Sequence, residues 1–249
     1  MTKRLLYLAA LLFIFVIPLR SSPIAAVIQN SHYNPQTNII TLRVSNTGSK
    51  DITAINFGIS VTYPTGNGAA ASLGYSYDFV DGIIASIERG YEVAPGARHG
   101  IAPGDSRDLD VPVSPPIASF KPTVDMVIYA DGTADVQNRM AFNRIMLQRK
   151  GEMLALEKTN QLLAAALADP AVEHPSTTVA AQLKALAHVT TKDANDPASY
   201  EEGTLLNAAQ NIGNSPKERA VEDDHLRMLI KTHESHITLL ASHIQGVRQ

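Results

Sequence analysis

The side chains best suited to chemistry lie near the end of the chain, in the stretch HESHITLLASH over 233–243. Histidine titrates near neutral pH and is a common zinc ligand, so His233, His236 and His243 are candidate metal ligands or proton carriers. In an HExxH pair the two histidines stand four apart on one helical face with a glutamate usable as base. Here the spacing is three, and Glu234 points to the far side. At about 100° per residue, His236 falls about 300° from His233, while His225 and His243 both fall at about 280°. His225, His236 and His243 therefore share a stripe, but successive members lie about 16 Å and 10 Å apart along the axis. Zinc ligands must converge within about 2 Å of the ion. A third ligand would have to come from elsewhere, His188 or Glu173 being available types. His233 sits inside an apolar seam, where a histidine is expected as a core or interface residue hydrogen-bonded to a neighbour. A metal-binding protein or metal-dependent enzyme built on these histidines is the alternative reading, and no cofactor is expected.

Three further constellations are better explained by structure than by chemistry. Gly104-Asp105-Ser106 lies in a Pro-Gly turn, and no helix follows it to raise a serine nucleophile. Asp105, Asp108 and Asp110 offer hard oxygen ligands of the kind calcium takes. Alternation with Leu109 and Val111 instead turns Asp108 and Asp110 outward, as on a solvated strand edge that discourages pairing. Asp131, in Tyr129-Ala130-Asp131-Gly132-Thr133, is read as part of a strand-to-helix junction, with Gly132 turning the chain and Thr133 or Asp135 capping the helix that follows.

The elements that position these residues divide into two compositional halves. Up to about Asp131 the chain is rich in β-branched and aromatic residues, Gly and Pro; from Asp135 it is rich in Ala, Leu and charge. In IITLRVSN, Ile40, Leu42 and Val44 alternate with Thr41, Arg43 and Ser45, and Ile55, Phe57, Ile59, Val61 and Tyr63 follow on one face of a longer strand. With Ala25–Tyr33, Leu73–Val80, Ile83–Val93, Ser106–Val113 and Val124–Ala130, seven strands are expected within about a hundred residues, the pattern of an immunoglobulin-like antiparallel β-sandwich. The run LRVSNTGSKDITAINFGISVTY over 42–63, followed by Ala102-Pro103-Gly104-Asp105-Ser106, resembles bacterial extracytoplasmic immunoglobulin-like modules of the FxLYD and CARDB type over residues 27–131. Those families place an Asn-x-Gly turn before a hairpin and a Pro-Gly-x-Ser turn before a late strand. The chain has Tyr63-Pro64-Thr65 where FxLYD modules carry an aromatic followed by Asp, and it adds Gly66–Ala71. The resemblance implies an adhesion, scaffolding or assembly module.

The second half reads as helical. Phe142, Met146, Arg149, Met153, Leu156, Asn160, Leu163 and Leu167 recur at spacings of four and three, a heptad-like seam that Arg149 and Asn160 interrupt. Asp169-Pro170 ends it. A second long helix is expected from Ser215-Pro216-Lys217-Glu218, with Ser215 as cap and Glu218 completing a capping box. Its seam is Leu226, Ile230, His233, Ile237, Leu240, Ile244 and Val247. Shorter helices are expected over 178–189 and 199–212. Two long helices, about 135–168 and 216–247, each with one apolar stripe, must pack against each other or against a second copy.

The chain opens with Lys3 and Arg4, an apolar run from Leu5 to Ile17, and small residues up to Ala26. This is the pattern of a signal peptide over 1–26, and a helix of that run spans about 20 Å, short of a hydrocarbon core of about 30 Å. An uncleaved anchor formed by residues 5–17 is the alternative, and would be the only route to a membrane. The expected location is periplasmic or secreted. Zero Cys excludes disulfides, a thiolate nucleophile and lipoprotein attachment. Loss of Lys3, Arg4 and Arg20 takes the net charge from −3 to −6, which gives no footprint for nucleic acid. These features combine into an α+β, two-part reading: a β-sandwich over 27–133, then a helical region over 134–249. The expected role is non-catalytic binding or assembly at the bacterial cell envelope, with a protein partner or self-association through the helical seams.

Overall fold

The structure, a computed structural model, describes residues 24–64, 70–88, 100–114, 117–188 and 193–244. The signal-like segment up to residue 23, most of the Gly-rich insertion, the Pro95-Gly96 and Pro115-Pro116 breaks, the second half of the strand expected over 83–93, and Val247 lie outside them.

The molecule is mixed α+β, with two antiparallel sheets followed by several helices. In chain order the elements are β1 (Ala26–Asn34), β2 (Ile39–Asn46), β3 (Ile52–Thr62), β4 (Ala70–Asp78), α1 (Phe79–Glu88), β5 (Ser106–Pro112), β6 (Ser119–Tyr129), β7 (Ala134–Val136), α2 (Arg139–Ala168), α3 (Pro175–Ala187), a 3-10 turn (Pro197–Tyr200), α4 (Glu201–Gly213) and α5 (Arg219–Ile244). One sheet has the order β1-β2-β5 and the other β4-β3-β6-β7. Their inner faces share one apolar core, to which β2 gives Ile40, Leu42 and Val44, β3 gives Ile55, Phe57, Ile59 and Val61, and β5 gives Leu109 and Val111. Ile24 and Ala25, ahead of the first strand, already pack against it. Period-two alternation sends every second residue inward, which is why these positions were readable from the sequence.

β3 is buried on its other face as well. Ala54 joins Met126 and Ile128 of β6 in a second cluster with Ile145 and Met146 of α2, and Phe142 and Ile244 pack beside it. The helical half therefore sits directly on the outer face of the four-stranded sheet. α2 and α5 run antiparallel: Ile244 lies in the cluster around Ile145 and Met146, Leu240 meets Leu156, and Leu226 shares a core with Leu163. Leu156, Leu163, Leu226 and Leu240 are wholly inaccessible to solvent. Of the two expectations for the seams, mutual packing within one chain is what the structure shows. α3 and α4 close the far end of the bundle through Val179, Leu183, Leu205 and Ile212.

Local starts and stops differ from expectation for identifiable reasons. The strand expected from Ile83 is replaced by α1, since Val80 and Ile84 stand four apart and both bury against Leu156 and Leu240. Gly132 does turn the chain with φ 77°, but the next element is the short strand β7, and α2 is capped by Asn138, whose Oδ1 accepts from Ala141 N at 3.2 Å. The expected box at Ser215 does not form: α5 begins at Arg219. Ser176, in the first turn of α3, instead donates its backbone N–H at 2.9 Å to the buried Glu222 of α5, a cap supplied from another helix. Gly151 of α2 is the contact point for the 3-10 turn, because a Cβ there would stand 2.4 Å from the carbonyl of Pro197 and 2.8 Å from Cβ of Tyr200.

Candidate functional site

The junction between sheet and helices is organised by one carboxylate. Asp78 is the last residue of β4, and its Oδ1 accepts from Val80 N at 3.0 Å, which caps α1. The same carboxylate takes two bonds from Arg149 of α2, Nε to Oδ2 at 2.7 Å and Nη2 to Oδ1 at 2.8 Å. This fork-on-carboxylate geometry is the strong form of the arginine ion pair. Arg149 is 1% exposed. Burial of a charged guanidinium is tolerated because the partner is fixed by a strand end and a helix start at once. The interruption of the α2 seam at position 149 is thus the place where α2 is pinned to the sheet.

A groove of about 560 Å³ opens beside this pin, with a floor of Asn56, Gly74, Ser76 and Asp78 and a wall of Asn138, Ala141, Arg144 and Gln148. Cross-strand register pairs Asn56 with Ser76, Gly58 with Gly74 and Ala54 with Asp78, so the floor is the outer face of β3 and β4. A smaller recess of about 180 Å³ continues from it past Asp81, Arg149 and Glu152 to Tyr200 and Thr204. The groove is dipolar. At one end stand Arg144 and the positive N-terminus of α2, a helix of 30 residues. At the other, burial raises the pKa of Asp81, with the charge of Asp78 adding to the rise and Arg149 opposing it. Two buried atoms here lack a protein partner, the acceptor Asn56 Oδ1 and the donor Arg149 Nη1. Asn56 Nδ2 is engaged, donating to Ser76 Oγ at 2.8 Å and to the Tyr75 carbonyl at 3.1 Å. Donors, acceptors and opposite charges thus line one open groove.

The histidines are not brought together into a ligand set. His233 Nδ1 lies 2.8 Å from Asn160 Oδ1, and Asn160 Nδ2 donates to the Ile230 carbonyl at 3.3 Å. That orientation places the proton on Nδ1, and it explains the second seam interruption: Asn160 exists to meet His233. Burial lowers the His233 pKa to about 4, and the neighbouring His236 adds to the fall. His236 is also buried, which lowers its pKa, and neither ring nitrogen has a protein partner. His243 Nδ1 donates to the Leu239 carbonyl of its own helix at 2.8 Å. Among the described residues no three His, Asp or Glu side chains converge as metal ligands would.

The remaining candidates occupy structural positions. Asp108 pairs with Arg43 at 3.2 Å, and Asp110 accepts from Thr41 Oγ1 at 2.7 Å, both across the β2–β5 register. Gly104-Asp105 forms a turn closed by Asp105 N to the Ala102 carbonyl at 3.0 Å. This turn is bonded to the Asn-x-Gly turn, through Gly104 N to the Asn46 carbonyl at 2.9 Å and Asn46 N to the Asp105 carbonyl at 3.0 Å. Asn46 is fully buried, and its Nδ2 donates to the carbonyls of Lys50 and Ile101, both at 2.8 Å. Asp131 is ion-paired with Lys50 at 2.7 Å and accepts from Thr133, contacts that hold its pKa down to about 2. Phe142, Met146, Met153, Leu156, Leu163, Leu226, Ile230, Ile237, Leu240 and Ile244 all lie in the apolar clusters between elements of the same chain.

The chain matches no family model, and no curated protein or solved structure matches it. No described helix is long and apolar enough to cross a membrane. The sequence marks Arg149 as a break in a pattern and as one of the basic residues near the start of its helix, reads Asp81-Gly82 as a turn, and gives Asp78 and Asn56 no role. The signal available was that break itself: an arginine at a core position of an amphipathic helix requires a carboxylate from outside the helix.

Proposed function

We propose that the chain is an exported, non-catalytic binding or assembly protein of the bacterial cell envelope, an immunoglobulin-like module carrying a helical bundle. The strand orders support the first part. Lettered in sequence, the three-stranded sheet is A-B-E and the four-stranded sheet is D-C-F-G, which keeps the A-B-E and C-F-G groupings of immunoglobulin-like sandwiches with the fourth strand on the second sheet. The signal-like opening, with Lys3, Arg4 and the apolar run after them, supports export. Because the helical seams are spent on each other, the partner surface moves from the seams to the junction.

The observation that carries the reading is the open polar groove held between two pinned elements, lined by the opposite charges of Arg144 and Asp81 together with uncharged polar side chains. Its test is site-specific photo-crosslinking from position 140 or 148, on the groove wall, in cells of the source organism, with crosslinked proteins identified by mass spectrometry and confirmed by reciprocal tagging. One reproducible envelope protein is the expected result; crosslinks to none, or turnover of a small substrate by the purified chain, would overturn it. The metal reading draws on the unpartnered ring of His236. Stoichiometric zinc in the purified protein, lost on His236→Ala, would replace the binding reading with it.

A further inference from the structure

The groove at the junction has the dimensions and chemistry of a peptide site. Along α2 it runs from Asn138 to the Arg149 pin, about 16 Å at 1.5 Å per residue. An extended chain covers that distance in about five residues at 3.3 Å each. Space above the floor is provided by Gly74, where an added Cβ would meet nothing within 4 Å. Met140, 82% exposed on the rim, offers apolar contact.

Among the described residues the bordering strand is also the least defended edge. β1 carries a register shift between Ile28 and Asn30, β5 carries Arg107, Asp108, Asp110 and Pro112, and β7 is three residues long. Bulges, charges, proline and shortness all discourage the addition of another strand. β4 pairs with β3 without a register shift and has no charged residue from Ala70 to Tyr77. Strand addition beside a helix is a recurrent mode of peptide recognition, with main-chain bonds giving affinity and side-chain subsites giving specificity.

We propose that the groove between β4 and α2 binds an extended peptide segment of about five residues, with a carboxylate toward Arg144 and the N-terminus of α2 and a basic side chain toward Asp81. Charge complementarity fixes its direction, since reversal sets carboxylate against Asp81 and base against Arg144. This deepens the binding reading and rests on it.

The test uses the full-length exported chain and an array of end-blocked five-residue peptides, each holding one Asp and one Lys at every spacing and order, with uncharged peptides as controls. A matched set ending in a free carboxylate separates a side-chain acid from a C-terminal one. Retention of one charge order at a spacing of three or four is expected. It should fall at least about tenfold for Gly74→Leu, which fills the floor, and for Arg144→Glu, which inverts one end. Equal retention of uncharged peptides overturns the proposal, as does unchanged retention by a Gly74→Leu protein that melts at the parent temperature. An envelope partner that still crosslinks to Gly74→Leu ends the peptide proposal and leaves the assembly reading standing. Peptide retention without any envelope partner supports the site and ends the assembly reading.

Discussion

The two faces of β3 were built by different rules. Its inner face meets β2 and β5 across an apolar core of Ile55, Phe57, Ile59 and Val61, where non-directional burial of surface does the work. Its outer face meets α2 across a mixed surface, with Ala54 under Met146 at one point and Asn56 opening onto a polar groove at another. The inner interface tolerates changes of similar volume, because area and packing are what it supplies. The outer one depends on a few directional contacts, and losing one partner leaves the other buried and uncompensated. A molecule arranged this way relies on non-directional burial on one side of a strand and on directional contacts on the other.

The contrast breaks most clearly at the pin. Arg149→Ala should cost about 3–5 kcal/mol, since it leaves Asp78 without its cation and opens a cavity, whereas Ile59→Val on the inner face should cost about 0.5–1.5 kcal/mol. Urea unfolding of the two variants measures both. Next in size is a pH effect confined to the helical half. His233, at about 4 in the folded protein against 6.5 when exposed, binds its proton more readily unfolded. Its contribution is therefore fully present above pH 6.5 and is lost as pH falls toward 4, by on the order of 3 kcal/mol, with His236 acting in the same direction. Thermal midpoints measured between pH 4 and 7 should show this slope, and His233→Gln should flatten it.

Smaller changes sharpen the comparison. Gly151→Ala places a methyl group against the Pro197 carbonyl and should cost about 1–3 kcal/mol, with faster amide exchange in the 3-10 turn as the local readout. Gly74→Leu, on the open floor of the groove, should leave stability within about 0.5 kcal/mol while filling the site.

The unequal legibility of the two faces follows from the same physics. Alternation in 40–44 and 55–61 is a local signal, so both central strands and their inward residues could be read directly. Heptad spacing likewise located α2, α5 and the residues that meet between them. α1 was read as strand because the burial of Val80 and Ile84 depends on Leu156 and Leu240, residues far along the chain. The candidate site was illegible for that reason in a stronger form. Asp78 and Arg149 are separated by 71 positions, and Asn160 and His233 by 73. Each arginine or asparagine looked like a flaw in its own helix until its partner was in place. The cap that Glu222 supplies to α3 shows the same limit, since a cap drawn from another helix has no local spacing to betray it.

The central claim is that Asp78 and Arg149 join the two halves into one unit around the groove. A double-mutant cycle with Asp78→Asn, which keeps the cap of α1, and Arg149→Leu, which keeps the bulk of the seam, tests it most directly by urea unfolding. The account predicts a coupling of about 2 kcal/mol or more, with the double variant recovering part of what each single one loses. Losses that simply add, within about 0.5 kcal/mol, would contradict it.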